Sequence, residues 1–96
     1  MVTSWSPAAH KQLRKAFEYI RKDSLQNAEK VKNEIIELSE KLVDHPERFS
    51  LDKYRKKNDG TFRAFEIHSY RISYRVMQNY ILIVRMRHTS RSPIVY

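Results

Sequence analysis

Apolar residues recur with a helical period along the first half of the chain and with a period of two along the second. Ala9, Leu13, Ala16, Phe17 and Ile20 fall at helical spacings and form one stripe. Ser6 followed by Pro7 starts this helix, because serine caps an N-terminus and proline at the first helical position lacks only an N–H that would be orphaned there. Arg21 and Lys22 suit the negative C-terminal end, so the helix is predicted to stop near Lys22. Asp23-Ser24 break the pattern and can cap a second helix, on which Ala28, Val31, Ile35, Leu38 and Leu42 continue the stripe. Glu37 and Lys41 make a favourable i,i+4 pair on its outer face. His45-Pro46 ends it, since the residue before proline is driven out of the helical region. So short a break between the helices predicts an antiparallel helical hairpin.

Residues 45–60, HPERFSLDKYRKKNDG, are polar and basic and end in a strong turn signal. They read as a loop tethered to the core by Phe49, Leu51 and Tyr54. Beyond Gly60 come three β-prone runs, TFRAFEIHS, YRISYRVM and YILIVRMRH, with short breaks at His68-Ser69 and Gln78-Asn79. Short breaks imply hairpins and antiparallel neighbours. With VTSW as a short first strand, residues 1–96 are expected to form a single α+β domain. In it an antiparallel helical hairpin packs on one face of an antiparallel β-sheet meander, and the other face stays partly open.

Composition changes this picture mainly through charge. Residues 1–44 carry eight Lys/Arg and seven Asp/Glu, whereas residues 45–96 carry eleven and four, so almost all of the net +8 lies in the second half. One-sided charge implies an anionic partner, either nucleic acid or an acidic protein. There is no cysteine, hence no disulfide and no thiolate zinc site. No apolar stretch has the length of a signal peptide core or a membrane span, so a cytoplasmic protein that does not contact membrane is expected.

Alternation places Arg71 and Arg75 on one face of the middle run, opposite Tyr70, Ile72, Tyr74 and Val76. Arg85 and Arg87 likewise share a face of the last run, with His88 on the other side at its end, while Arg63 lies on the first run and Arg91 just beyond the last. Arginine grips phosphate or carboxylate in a bidentate fork, and a sheet carrying these arginines with Tyr70, Tyr74 and Tyr80 has the ingredients for holding single-stranded nucleic acid. The competing reading pairs individual arginines with Glu66, Asp59 or helix carboxylates. His88 is the candidate general acid/base near this face. His10, His45 and His68 show no metal-ligand spacing, and a chain with one glycine has no phosphate-cradling loop, so neither metal nor cofactor is expected.

The whole chain resembles the RelE/ParE superfamily of toxins from type II toxin–antitoxin modules. WSPAAHKQL opening the first helix, FEYI near its end, HPERF after the second, GTFRAFEIHSYRISYRV and ILIVRMRHTSRSP carry the likeness in order and spacing. The resemblance implies one of two activities. RelE-like members are ribosome-dependent, metal-independent mRNA endoribonucleases, whereas ParE-like members poison DNA gyrase without ribonuclease chemistry. By this likeness Arg71 of SYRISY sits where the ribonucleases keep a phosphate-binding arginine, His88 of RMRHT matches a catalytic histidine of some, and Tyr96 matches a C-terminal tyrosine of others. The first meander strand offers Arg63 without the ribonucleases' lysine pair, and Glu66 is the available carboxylate. The capped helical hairpin with FEYI favours the ParE side. In that reading Arg63, Arg71, Arg75, Arg85, Arg87, Arg91 and Tyr96 contact the target. Both readings imply a cognate antitoxin with an acidic, partly disordered segment that orders over the basic half. A basic nucleic-acid-binding module without toxicity is the further alternative.

Overall fold

A computed structural model describes residues 1–91. Its elements run β1 (Val2–Trp5), α1 (Pro7–Arg21), α2 (Leu25–Lys41), β2 (Phe62–Ile67), β3 (Tyr70–Val76) and β4 (Tyr80–His88). The sheet order is β1-β4-β3-β2. The three later strands form the antiparallel meander, while β1 adds a parallel edge beside β4.

Both helices begin as their sequences require. Ser6 Oγ accepts from Ala9 N–H and Ser24 Oγ from Asn27 N–H, each at 3.0 Å. The helical hairpin lies on one face of the sheet. Ala9, Leu13 and Ala16 from α1 and Val31 and Ile35 from α2 meet Phe65, Ile72, Tyr74, Ile81, Ile83 and Met86. The small alanines let helix and sheet backbones approach closely, and the branched strand residues fill the space between. Glu37 and Lys41 pair on the solvent side at 3.1 Å. The helix α2 ends at Lys41, short of His45-Pro46, with Leu42 as its buried C-cap.

Of the three expected tethers of the loop, Phe49 stacks on Phe65 at 4.8 Å and Tyr54 packs on the opposite sheet face. Leu51 does not join the core. It is half exposed, and its contribution is through backbone, as a bridge to Arg63 on the outer edge of β2. Flanking bonds from Asp52 N–H to Phe62 O (2.9 Å) and Ala64 N–H to Ser50 O (3.2 Å) complete this cover over an edge that would otherwise present unpaired groups.

A bulge in β4 explains how a core strand becomes cationic. Tyr74 pairs with Ile83, but Ser73 pairs with Arg85, so Val84 is the extra residue. Strict alternation from Ile81 and Ile83 would send Arg85 and Arg87 into the core. The bulge reverses the phase, so Met86 continues the buried side and both arginines emerge on the other. Groups freed by the irregularity are satisfied by α1 and its N-cap: Ser6 Oγ donates to Val84 O at 2.8 Å, and Met86 N–H donates to Gln12 Oε1 at 2.7 Å.

Candidate functional site

Register assigns each arginine to a face. Arg71 opposes Arg87, Ser73 opposes Arg85, and Arg75 opposes Leu82, so Arg71, Arg75, Arg85 and Arg87 share the sheet face away from the helices. Arg63 does not belong to this group. It opposes Tyr74 and therefore lies on the helix side at the β2 edge, with Nη1 donating to Phe49 O at 2.7 Å. Its place in β2 is one residue out of phase with the face that holds the other four. Arg91 is exposed just past β4 and sits near the Tyr70 phenol. Tyr96 lies outside the described residues.

The four arginines divide into two pairs. Arg71 and Arg75 are held by the protein's own acids. Arg71 Nη2 reaches Asp52 Oδ1 at 3.0 Å, Nη1 reaches Glu66 Oε2 at 3.2 Å, and the guanidinium lies 4.8 Å from the centre of the Tyr54 ring. Arg75 donates to Thr61 Oγ1 at 3.1 Å, approaches Asp59 Oδ2 at 3.5 Å and covers Phe62 at 4.6 Å. Asp59 is held below the ordinary carboxylate range, chiefly by the hydrogen bond from the Thr61 hydroxyl, with Arg75 contributing. On the β4 side, Arg85 and Arg87 are half-buried, and Arg87 Nε is buried with no hydrogen-bond partner among the described residues. Like charges directly across a ladder repel, so the carboxylates on Arg71 also make room for Arg87 opposite it.

Of the tyrosines envisaged as an aromatic platform, Tyr80 alternates with buried Ile81 and Ile83 and so shares the arginine face, but the other two do not. Tyr70 and Tyr74 point to the helix side and are buried, which raises both phenol pKa values above the ordinary range. Tyr74 Oη donates to Pro46 O at 2.8 Å. The rings that do meet the arginines are Tyr54 and Phe62. Sequence reasoning missed Tyr54, Phe62 and above all Asp52, whose side chain is fully buried beneath Arg71. The available signal was an aspartate set among apolar and aromatic residues in SLDKY, where solvent exposure could not be assumed.

His88 lies on the helix side, opposite Tyr70 in the register, with its ring edge-on to the tyrosine at 5.0 Å. Nδ1 accepts Ser90 N–H at 3.0 Å, so the neutral imidazole carries its proton on Nε2. The sheet thus separates His88 from Arg71, and Glu66 is engaged by Arg71. The arginines thus form a cationic face on one side of the sheet, and His88 on the other side does not converge with Arg71 on one reacting atom. Among the described residues, no group of His, Asp or Glu side chains is placed to hold a metal ion, and no helix is long and apolar enough to cross a membrane.

Comparison with known proteins bears on this geometry. Among solved structures, the chain is similar to one from the chromosomal ParDE TA system of P. aeruginosa, with a TM-score of 0.71 and 19% identity, covering 92% of this chain and 95% of that one. That likeness shows the α+β fold. No curated protein matches by sequence. The family described as the ParE toxin of the type II toxin–antitoxin system, parDE, matches residues 3–93. With nearly the whole length matched, the chain belongs to the ParE toxin family of type II toxin–antitoxin systems.

Proposed function

We propose that this protein inhibits growth by binding DNA gyrase in the cytoplasm, without ribonuclease chemistry, and is neutralised by a cognate acidic antitoxin. The observation that carries the choice between gyrase and mRNA is the placement of His88 and Arg71 on opposite faces of the sheet, with Arg71 tied down by Asp52 and Glu66. A nuclease built on those two residues needs both within reach of one phosphodiester. A binding protein needs only a stable cationic surface, which β3 and β4 supply. The antitoxin is expected to be acidic and to order as it docks, because the excess of basic residues lies in residues 45–96 and the β4 arginines have their guanidinium groups on one face.

The test is a pair of assays on purified protein. Supercoiling by DNA gyrase is expected to fall with rising protein, and mRNA in a translating extract is expected to stay intact. Cleaved mRNA that becomes intact on His88→Ala would replace this reading with the ribonuclease one. Absence of both effects, together with normal growth on induction, would leave a basic binding module.

A further inference from the structure

The loop between α2 and β2 carries a second concentration of charge, separate from the β4 arginines. Residues 53–57, KYRKK, hold four cations and no acid. Lys53, Lys56 and Lys57 are exposed. The nearby carboxylates of Asp52, Asp59 and Glu66 are engaged by Arg71 and Arg75 from the sheet.

This loop is ordered to a degree that solubility alone does not require. Asp52, buried, accepts Tyr54 N–H at 3.1 Å and Arg71 at 3.0 Å. Asn58 donates to Phe62 O at 2.8 Å and accepts from Gly60 N–H at 2.9 Å and Phe62 N–H at 3.2 Å. Lys57 is held at φ 52 and Gly60 at φ 93, both in the left-handed region. The result is a short basic segment displayed in one conformation, which lowers the ordering entropy that binding a polyanion would otherwise demand.

The aromatic rings indicate which polyanion. Tyr54 has Lys53 at 5.2 Å and Arg71 at 4.8 Å from its centre, and Phe62 has Arg55 at 3.8 Å and Arg75 at 4.6 Å. Each ring is already covered by two of the protein's own cations, so neither offers a platform for an unpaired base, the usual grip on single strands. What remains is the exposed positive charge of Lys53, Lys56 and Lys57, suited to backbone phosphates. We propose that residues 53–57 of the α2–β2 loop form a sequence-independent binding surface for the phosphate backbone of duplex DNA. This goes beyond the gyrase reading and stands without it.

Binding of the full chain to a fluorescently labelled duplex of about 20 base pairs, measured by anisotropy over a range of NaCl concentrations, tests the proposal through its salt slope. The triple variant K53A/K56A/K57A removes three exposed cations; K11A/K15A/K30A removes three exposed cations from the helices and serves as the charge-matched control. Both are checked for folding by circular dichroism. If the three loop lysines each meet a phosphate, the slope of log K against log salt should shrink by about 2.7 in the loop variant, with affinity at least about tenfold weaker at ~0.1 M salt. The helix variant should stay close to wild type. Equal losses in both variants, an unchanged loop variant, or tighter binding of wild type to a single strand of the same length would each overturn the proposal. Gyrase takes no part in the measurement, so failure here is distinct from failure of the proposed target.

Discussion

Replacing Asp52 by alanine removes the carboxylate that anchors both Arg71 and the α2–β2 loop. The Asp52 side chain is fully buried and that of Arg71 is 18% exposed, so their 3.0 Å contact is only weakly screened by water. Removing one partner of a buried pair ordinarily costs about 3–5 kcal/mol, because the other charge is left uncompensated. Arg71 keeps Glu66 at 3.2 Å and the Tyr54 ring, which brings the loss below that range, to about 2–3 kcal/mol. Tyr54 N–H also loses its acceptor, adding about 1 kcal/mol. The total, about 3–4 kcal/mol, is a large share of the roughly 5–14 kcal/mol available to a domain of this size. In urea, with m about 1–1.5 kcal/mol/M for a small domain, the midpoint should fall by about 2–4 M. The double variant Asp52→Ala/Arg71→Met should cost less than the two single variants summed, with a coupling of about 2 kcal/mol in the double-mutant cycle. A loss below about 1 kcal/mol for Asp52→Ala, or additive single variants, would refute the claim that this pair holds the loop to the sheet.

Ser69→Gly should raise stability by about 0.5–1 kcal/mol in the same titration, since Ser69 (φ 65) occupies the second position of a two-residue turn that favours glycine. Ser6→Ala should cost about 2 kcal/mol, more than an ordinary N-cap, because the hydroxyl both accepts from Ala9 N–H and donates to Val84 O at the bulge. The folded-state phenol pKa values of Tyr70 and Tyr74 are raised above the ordinary 10.0 by burial. The folded state therefore holds these protons more tightly than the unfolded chain, so their contribution to stability is complete below about pH 10 and is lost as pH climbs through the raised values. Thermal melts should decline above that pH, with Tyr74→Phe flattening the decline, and tyrosinate absorbance should show two late-titrating groups.

The helices were legible because each rests on local chemistry: Ser6 and Ser24 cap, and the stripes from Ala9 to Ile20 and from Ala28 to Leu42 have the correct period. The faces of Arg71 and Arg75 followed from alternation alone. Two features were not legible. The bulge at Val84 depends on Ser6 and Gln12, which are distant in sequence and meet β4 only once the fold exists. Arg63 was misplaced because sharing a meander does not imply sharing a face; its side is set by pairing with Tyr74, a matter of register. Asp52 went unread for a related reason. An acidic residue in a basic loop looks solvated until the partner that permits its burial, nineteen positions away, is brought beside it.

The position of β4 between β1 and β3 constrains how the molecule is made. The Ser6–Val84 contact spans 78 positions, so the first strand has no neighbour until almost the entire ParE domain has been translated. At about 5–20 residues per second, several seconds pass with the apolar side of the helical hairpin uncovered in the nascent chain. The first strand therefore joins the sheet only once β4 is present, a pairing of high sequence separation and hence of the slow kind. The arginine face shared by β3 and β4 likewise cannot form until residues 80–88 have been made, so it is never displayed piecemeal.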